Sequence, residues 1–224
     1  VQIPRYGLAG ILMLLSLLAF SRVPPELNAF GMQLLPPRVA AREMQTDMNT
    51  ENLPWSERGK SYLLKACLEA SGQQSLALFP AAYRVNLAEN CRNLATRFAE
   101  RSPSYGLAKL VAAQSEGEIG DTAAFVQLMR ESQERTRFEG WQAAWRVRTS
   151  VRYGAPEDVP GLAEVIAADF RVMNLSRDHR TLLAKDYRRF PEWREAISMA
   201  MLETPEDMQR RFLSAVRKQL KDGQ

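Results

Sequence analysis

The stretch YGLAGILMLLSLLAFSRV, Tyr6 to Val23, constrains this chain more than any other, because nothing between Arg5 and Arg22 is charged. The 16 uncharged residues from Tyr6 to Ser21 would span roughly 24 Å as a helix, against a bilayer core about 30 Å thick. Apolar Val1, Ile3 and Val23 lengthen the run, and arginine flanks can snorkel to the interface. The run has no polar face, so it does not read as a terminal helix packed on a soluble core. Arg5 followed by an apolar stretch and the small-x-small triplet Ala19-Phe20-Ser21 also fits a signal peptide. The expectation is a retained signal-anchor over residues 1–22, touching lipid through residues 6–21. Cleavage at Ser21 would instead release a soluble periplasmic binder.

Residues 22–55 hold five of the chain's 12 prolines, Pro24, Pro25, Pro36, Pro37 and Pro54. Proline removes a backbone donor and disfavours helix at the preceding residue, so the proline pairs should end the apolar helix. Residues 23–55 then read as a proline-rich neck. It is too apolar for a plain spacer, and Phe30, Met32, Leu34 and Leu35 are its candidate partner-binding residues.

From Ser56 onward the pattern is helical. Tyr83, Leu87, Cys91, Leu94 and Phe98 fall on one face at helical spacing. Similar stripes are Leu107, Leu110 and Val111; Phe125, Leu128 and Met129; Leu162, Val165, Ile166 and Phe170; Trp193, Ile197 and Met201; and Met208, Phe212, Val216 and Leu220. No run alternates as a strand would. Residues 56–224 therefore read as an exported all-α domain of eight or nine helices, an ordinary bundle or a short solenoid.

Gly106 and Gly140 are 34 residues apart, as are Gly120 and Gly154, a spacing seen in helical repeats. The stretch YGLAKLVAAQSEGEIGDTAAFVQLMRESQER resembles one tetratricopeptide unit, with Gly120-Asp121 at the inter-helix turn and Ala113 at a small-residue position. The next unit, through Phe170, departs from the pattern, since Pro160 and Gly161 interrupt its second helix. This resemblance, over about residues 105–170, implies a stacked helical array that binds proteins.

Charge and chemistry narrow the function. Lys and Arg total 30 against 26 Asp and Glu, and the whole excess of +4 lies in residues 171–224. Arg210, Arg211, Arg217 and Lys218 are the candidate contacts there for an acidic partner or anionic headgroups. Two cysteines and one histidine are too few for the usual structural zinc site. Cys67 and Cys91, on apolar faces of successive helices behind an export-like segment, are expected to form a disulfide in an oxidising compartment.

No phosphate-binding glycine loop is present, and no cofactor, nucleic acid or small-molecule substrate is expected. His179 stands beside Asp178, but Ser176 is expected to point away from it. Glu131-Ser132 resembles the Glu-Ser pair of lytic transglycosylases, without that family's following residues. Trp141, Trp145 and Tyr153 with Arg146, Arg148 and Arg152 form a candidate aromatic–basic platform. The reading that results is a non-enzymatic accessory or scaffold subunit of a bacterial envelope complex. It would be single-pass in the inner membrane, with its C-terminal domain in the periplasm. The alternative is a glycan-acting enzyme using Glu131.

Overall fold

The computed structural model describes residues 5–46 and 53–221. Residues 1–4 of the expected anchor and 47–52 of the expected neck lie outside the described residues. Every regular element among the described residues is helical: α1 Arg5–Leu34, α2 Pro37–Gln45, α3 Glu57–Ser71, α4 Ala81–Arg101, α5 Gly106–Ile119, α6 Thr122–Arg135, α7 Gly140–Tyr153, α8 Leu162–Leu175, α9 Arg177–Arg189, α10 Arg194–Leu202 and α11 Glu206–Lys221. Two short 3-10 turns, Gln74–Leu78 and Pro191–Trp193, punctuate them. The chain divides into two compact units, residues 1–83 and 84–224.

In the first unit, α1 is 30 residues long, and Ala9–Leu34 is apolar and long enough to cross a membrane. The side chains from Ala9 through Pro24 are exposed, as a lipid-facing helix requires. Contrary to the expectation that the proline pair ends the helix, α1 runs through Pro24 and Pro25. Each interior proline costs about 3 kcal/mol in a lone helix. The carbonyls left without a helical partner are those of Phe20 and Ser21, next to the Arg22 end of the apolar segment. Beyond the pair, α1 packs on α3 with Ala29 and Met32 buried and Phe30 tilted against Tyr62, ring centroids 6.0 Å apart. Packing thus carries the helix where local propensity would stop it. Pro37 then opens α2 at the first helical position, where its missing N–H costs nothing. Ala40, Ala41 and Met44 form that helix's buried stripe.

The second unit buries the stripes expected from periodicity. Leu87, Cys91, Leu94 and Phe98 of α4, Leu107, Leu110 and Val111 of α5, Phe125 and Met129 of α6, and Leu162, Ile166 and Phe170 of α8 are all inside. Trp193 is fully buried and meets Phe170 edge-on at 6.3 Å. Leu220, expected on the last stripe, is exposed near the end of α11.

The helix hairpin α5–α6 turns on two residues. Gly120 caps α5 at φ 97°, and the Asp121 side chain accepts the Ala124 amide at 3.0 Å. A left-handed φ there favours glycine, which has no Cβ to clash. Gly154 follows α7 at the equivalent place but is extended, φ 173°, and the loop to α8 is eight residues long, 154–161. Pro160 and Gly161 do not interrupt a helix; they precede α8, with Gly161 as its N-cap. The 34-residue spacing therefore relates two helix starts and two helix ends but not two like turns.

Candidate functional site

The site begins where the apolar helix meets folded protein. Glu26, 30 residues before Ser56, belongs to no obvious motif, yet its carboxylate closes the start of α3. Oε1 accepts the amides of Trp55 and Ser56, each at 2.8 Å, and Oε2 accepts the Ser56 hydroxyl at 2.6 Å. Ser56 Oγ in turn accepts the Gly59 amide at 2.9 Å, the ordinary N-cap bond. A carboxylate at a helix N-terminus is also favoured by the helix dipole. Gly59 is required at this junction: a Cβ there would lie 2.4 Å from Glu26 Oε2 and 2.6 Å from Pro54 Cβ.

One turn earlier, the Arg22 guanidinium sits over the Trp55 ring at 4.0 Å, and Trp55 is exposed. A cation stacked on tryptophan is attractive, most strongly when partly dehydrated. Arginine and tryptophan are also the side chains that mark a membrane–water boundary. From Arg5 to Arg22, α1 covers about 26 Å of helix, close to a bilayer core. The arrangement can therefore hold the depth of the helix while tying it to α3.

Of the expected neck residues, Phe30, Met32 and Leu34 fall on different sides of α1 and Leu35 follows its end. Phe30 and Leu34 are exposed, Leu35 is half-buried, and Met32 is buried inward. Of the basic candidates in α11, Arg210 pairs with Glu206 at 2.7 Å and Arg211 with Asp207 at 3.2 Å, each within its own helix. Arg217 and Lys218 are exposed. Cys67 and Cys91 are buried and disulfide-bonded, and the chain has no free cysteine.

The other chemistry singled out in sequence is dispersed. Glu131 is an ion-pair hub: Lys109 Nζ lies 2.7 Å away and Arg135 Nη1 3.2 Å, with Gln127 donating at 3.2 Å. The Lys109 ammonium holds its carboxyl below the usual range, the reverse of what a general acid needs. Ser176 does not point away from His179: its hydroxyl lies 2.9 Å from Nδ1 and accepts the His179 amide at 3.2 Å. The N-cap position explains this, since a capping side chain folds over the third residue that follows. Among the described residues no set of three metal-ligating side chains gathers.

The aromatic–basic platform does not assemble. Arg148 lies over Trp145 at 5.3 Å. Arg152 reaches Glu118 at 3.4 Å, where Tyr153 OH also donates at 3.0 Å and Arg84 at 2.9 Å. Arg146 is fully buried and forms a fork with Asp169, Nε to Oδ2 at 2.8 Å and Nη2 to Oδ1 at 2.7 Å. Thr136 and Ser132 accept its remaining N–H groups. Burial pushes the Asp169 carboxyl up, while Arg146 draws it back toward ionisation. Burial likewise raises Asp186, in α9, to about 6 against the pull of Arg148, Arg189 and Lys185.

The second unit also carries an open groove of about 630 Å³. Phe138 and Leu175 stand exposed on it, Val172 and Met208 line it, and Arg171 is paired with Glu203 at its edge.

No family model, no curated protein and no solved structure matches this chain.

Proposed function

We propose that the protein is a membrane-anchored, non-enzymatic accessory or scaffold subunit that binds other proteins in a bacterial envelope complex. The observation that carries this reading is the passage of one helix, without a break, from an exposed apolar segment into a packed junction at Glu26 and α3. The apolar segment continues as one helix into the residues that pack on α3, which supports an anchor retained with the body. The disulfide supports an oxidising compartment, and hence an inner-membrane, single-pass topology with the helical body in the periplasm. The helix hairpin α5–α6 and the apolar groove bearing Phe138 and Leu175 suit contact with protein rather than turnover of a small substrate. The state of Glu131 speaks against the glycan-cleaving alternative.

The test is purification of the full chain from native membranes in mild detergent, with mass spectrometry of what accompanies it, for the wild type and for Glu131→Gln. A scaffold brings down the same membrane-protein partners in near-stoichiometric amount in both cases. Purification without partners, together with glycan cleavage that Glu131→Gln abolishes, would overturn it.

A further inference from the structure

Around and beyond the proline pair, α1 has two apolar faces. Ala29 and Met32 are buried on the face toward α3. On another face Phe20, Val23, Leu27, Phe30 and Leu34 are 74, 45, 62, 46 and 68% exposed, the Phe30 ring meeting Tyr62 of α3 on one side only. These positions advance by three, four, three and four residues, a mean of 3.5. That is the period at which a helix keeps one stripe turned toward a second helix. Carried backward, the same spacing meets Ser16 and Met13 inside the apolar segment. A row of large apolar side chains continuing past Arg22 onto the folded side of the junction is a contact surface rather than scattered exposure.

We propose that this stripe is the seam of a parallel homodimer, in which the α1 helices of two copies pack along residues 13–34. Charge favours a second copy as the occupant. The positions flanking the seam are Ala19, Pro24, Glu26, Gly31 and Gln33, and only Glu26 is charged. Its oxygens are already engaged by Trp55 and Ser56, so identical helices meet without opposed like charges. Arg22 is held over the Trp55 ring. Beside Phe30, Gly31 has open space where a Cβ would stand, which lets backbones approach closely. Two copies of one anchor also enter the bilayer in the same direction and at the same depth. Their stripes are then in register before they meet, an advantage that no unrelated helix has by default. The water-side residues Val23 to Leu34 supply the hydrophobic drive that the lipid-embedded part cannot.

The test is disulfide trapping of the purified full chain in nanodiscs. Because the chain has no free cysteine, an introduced thiol is the reactive one. Single variants Val23→Cys, Leu27→Cys, Phe30→Cys and Leu34→Cys are oxidised beside Asn28→Cys, an exposed position off the seam. The expected result is a product of twice the 25.4 kDa chain mass at the seam positions, at least tenfold above Asn28→Cys. Mass photometry of the unmodified protein should report two copies per nanodisc, and Leu27→Glu should report one. Equal trapping at Asn28, no trapping at any position, or a single copy of the wild type per disc would each overturn the proposal. None of those outcomes would touch the anchoring itself, which is read by membrane partition.

Discussion

Glu26 and Ser56, 30 residues apart, are joined twice: the carboxylate accepts both the backbone amide at 2.8 Å and the side-chain hydroxyl at 2.6 Å. Ser56 passes the interaction on to Gly59, so the start of α3 is organised by a residue of α1. Hydrogen bonds to a charged acceptor contribute about 1.5–3 kcal/mol each at most, and several on one carboxylate act together.

Glu26→Ala should therefore loosen the junction by about 1–3 kcal/mol without disturbing the second unit. Hydrogen exchange reads this locally. The amides of Trp55, Ser56 and Gly59 should exchange faster in the variant, while those of α8 should not change. Uniform acceleration, or none at Ser56, would contradict the assigned clamp.

The Arg146–Asp169 fork predicts a different pattern. Asp169→Ala leaves a buried, unpaired guanidinium and should cost about 3–5 kcal/mol. Replacing both partners, Arg146→Met with Asp169→Leu, should restore most of that loss, because a well-packed apolar pair avoids the desolvation of two charges. Denaturant midpoints of the two variants in the same detergent compare the cases directly.

Asp186 gives a pH signature. Burial raises its folded-state pKa from the ordinary aspartate value of 3.8 to about 6. A raised carboxyl favours the folded state most below its unfolded pKa, and that contribution is lost as pH rises through about 6. Asp186→Asn should therefore be more stable than wild type at pH 8, by on the order of 1–3 kcal/mol. The difference should shrink between pH 6 and pH 4. Thermal melts at pH 4.5, 6 and 8 check both the sign and the window.

Much of the helical frame was legible because a buried face repeats every three or four residues whatever it packs against. The same rule also carries a signal for the buried ion pair. Arg146 follows Ala143 and precedes Val147 and Ser150 on one buried stripe of α7, and Asp169 sits with Ile166, Phe170 and Met173 on one of α8. Two opposite charges on core stripes of neighbouring helices signal a buried pair. Chain proximity instead groups Arg146 with Arg148 and Arg152, and so hides the pair. The continuation of α1 through Pro24 and Pro25 was hidden for another reason. It depends on α3, whose contribution arrives about 30 residues later and leaves no local trace. Nothing in the sequence pairs Ser56 with Glu26.

Membrane partition of the full chain tests the central claim most directly. Membranes from cells expressing it are washed with alkaline carbonate, and the protein in each fraction is identified by intact mass. An α1 that spans the bilayer and is built into the fold at Glu26 keeps the 25.4 kDa chain in the membrane pellet. A soluble product whose N-terminus begins after Ser21 would contradict the account.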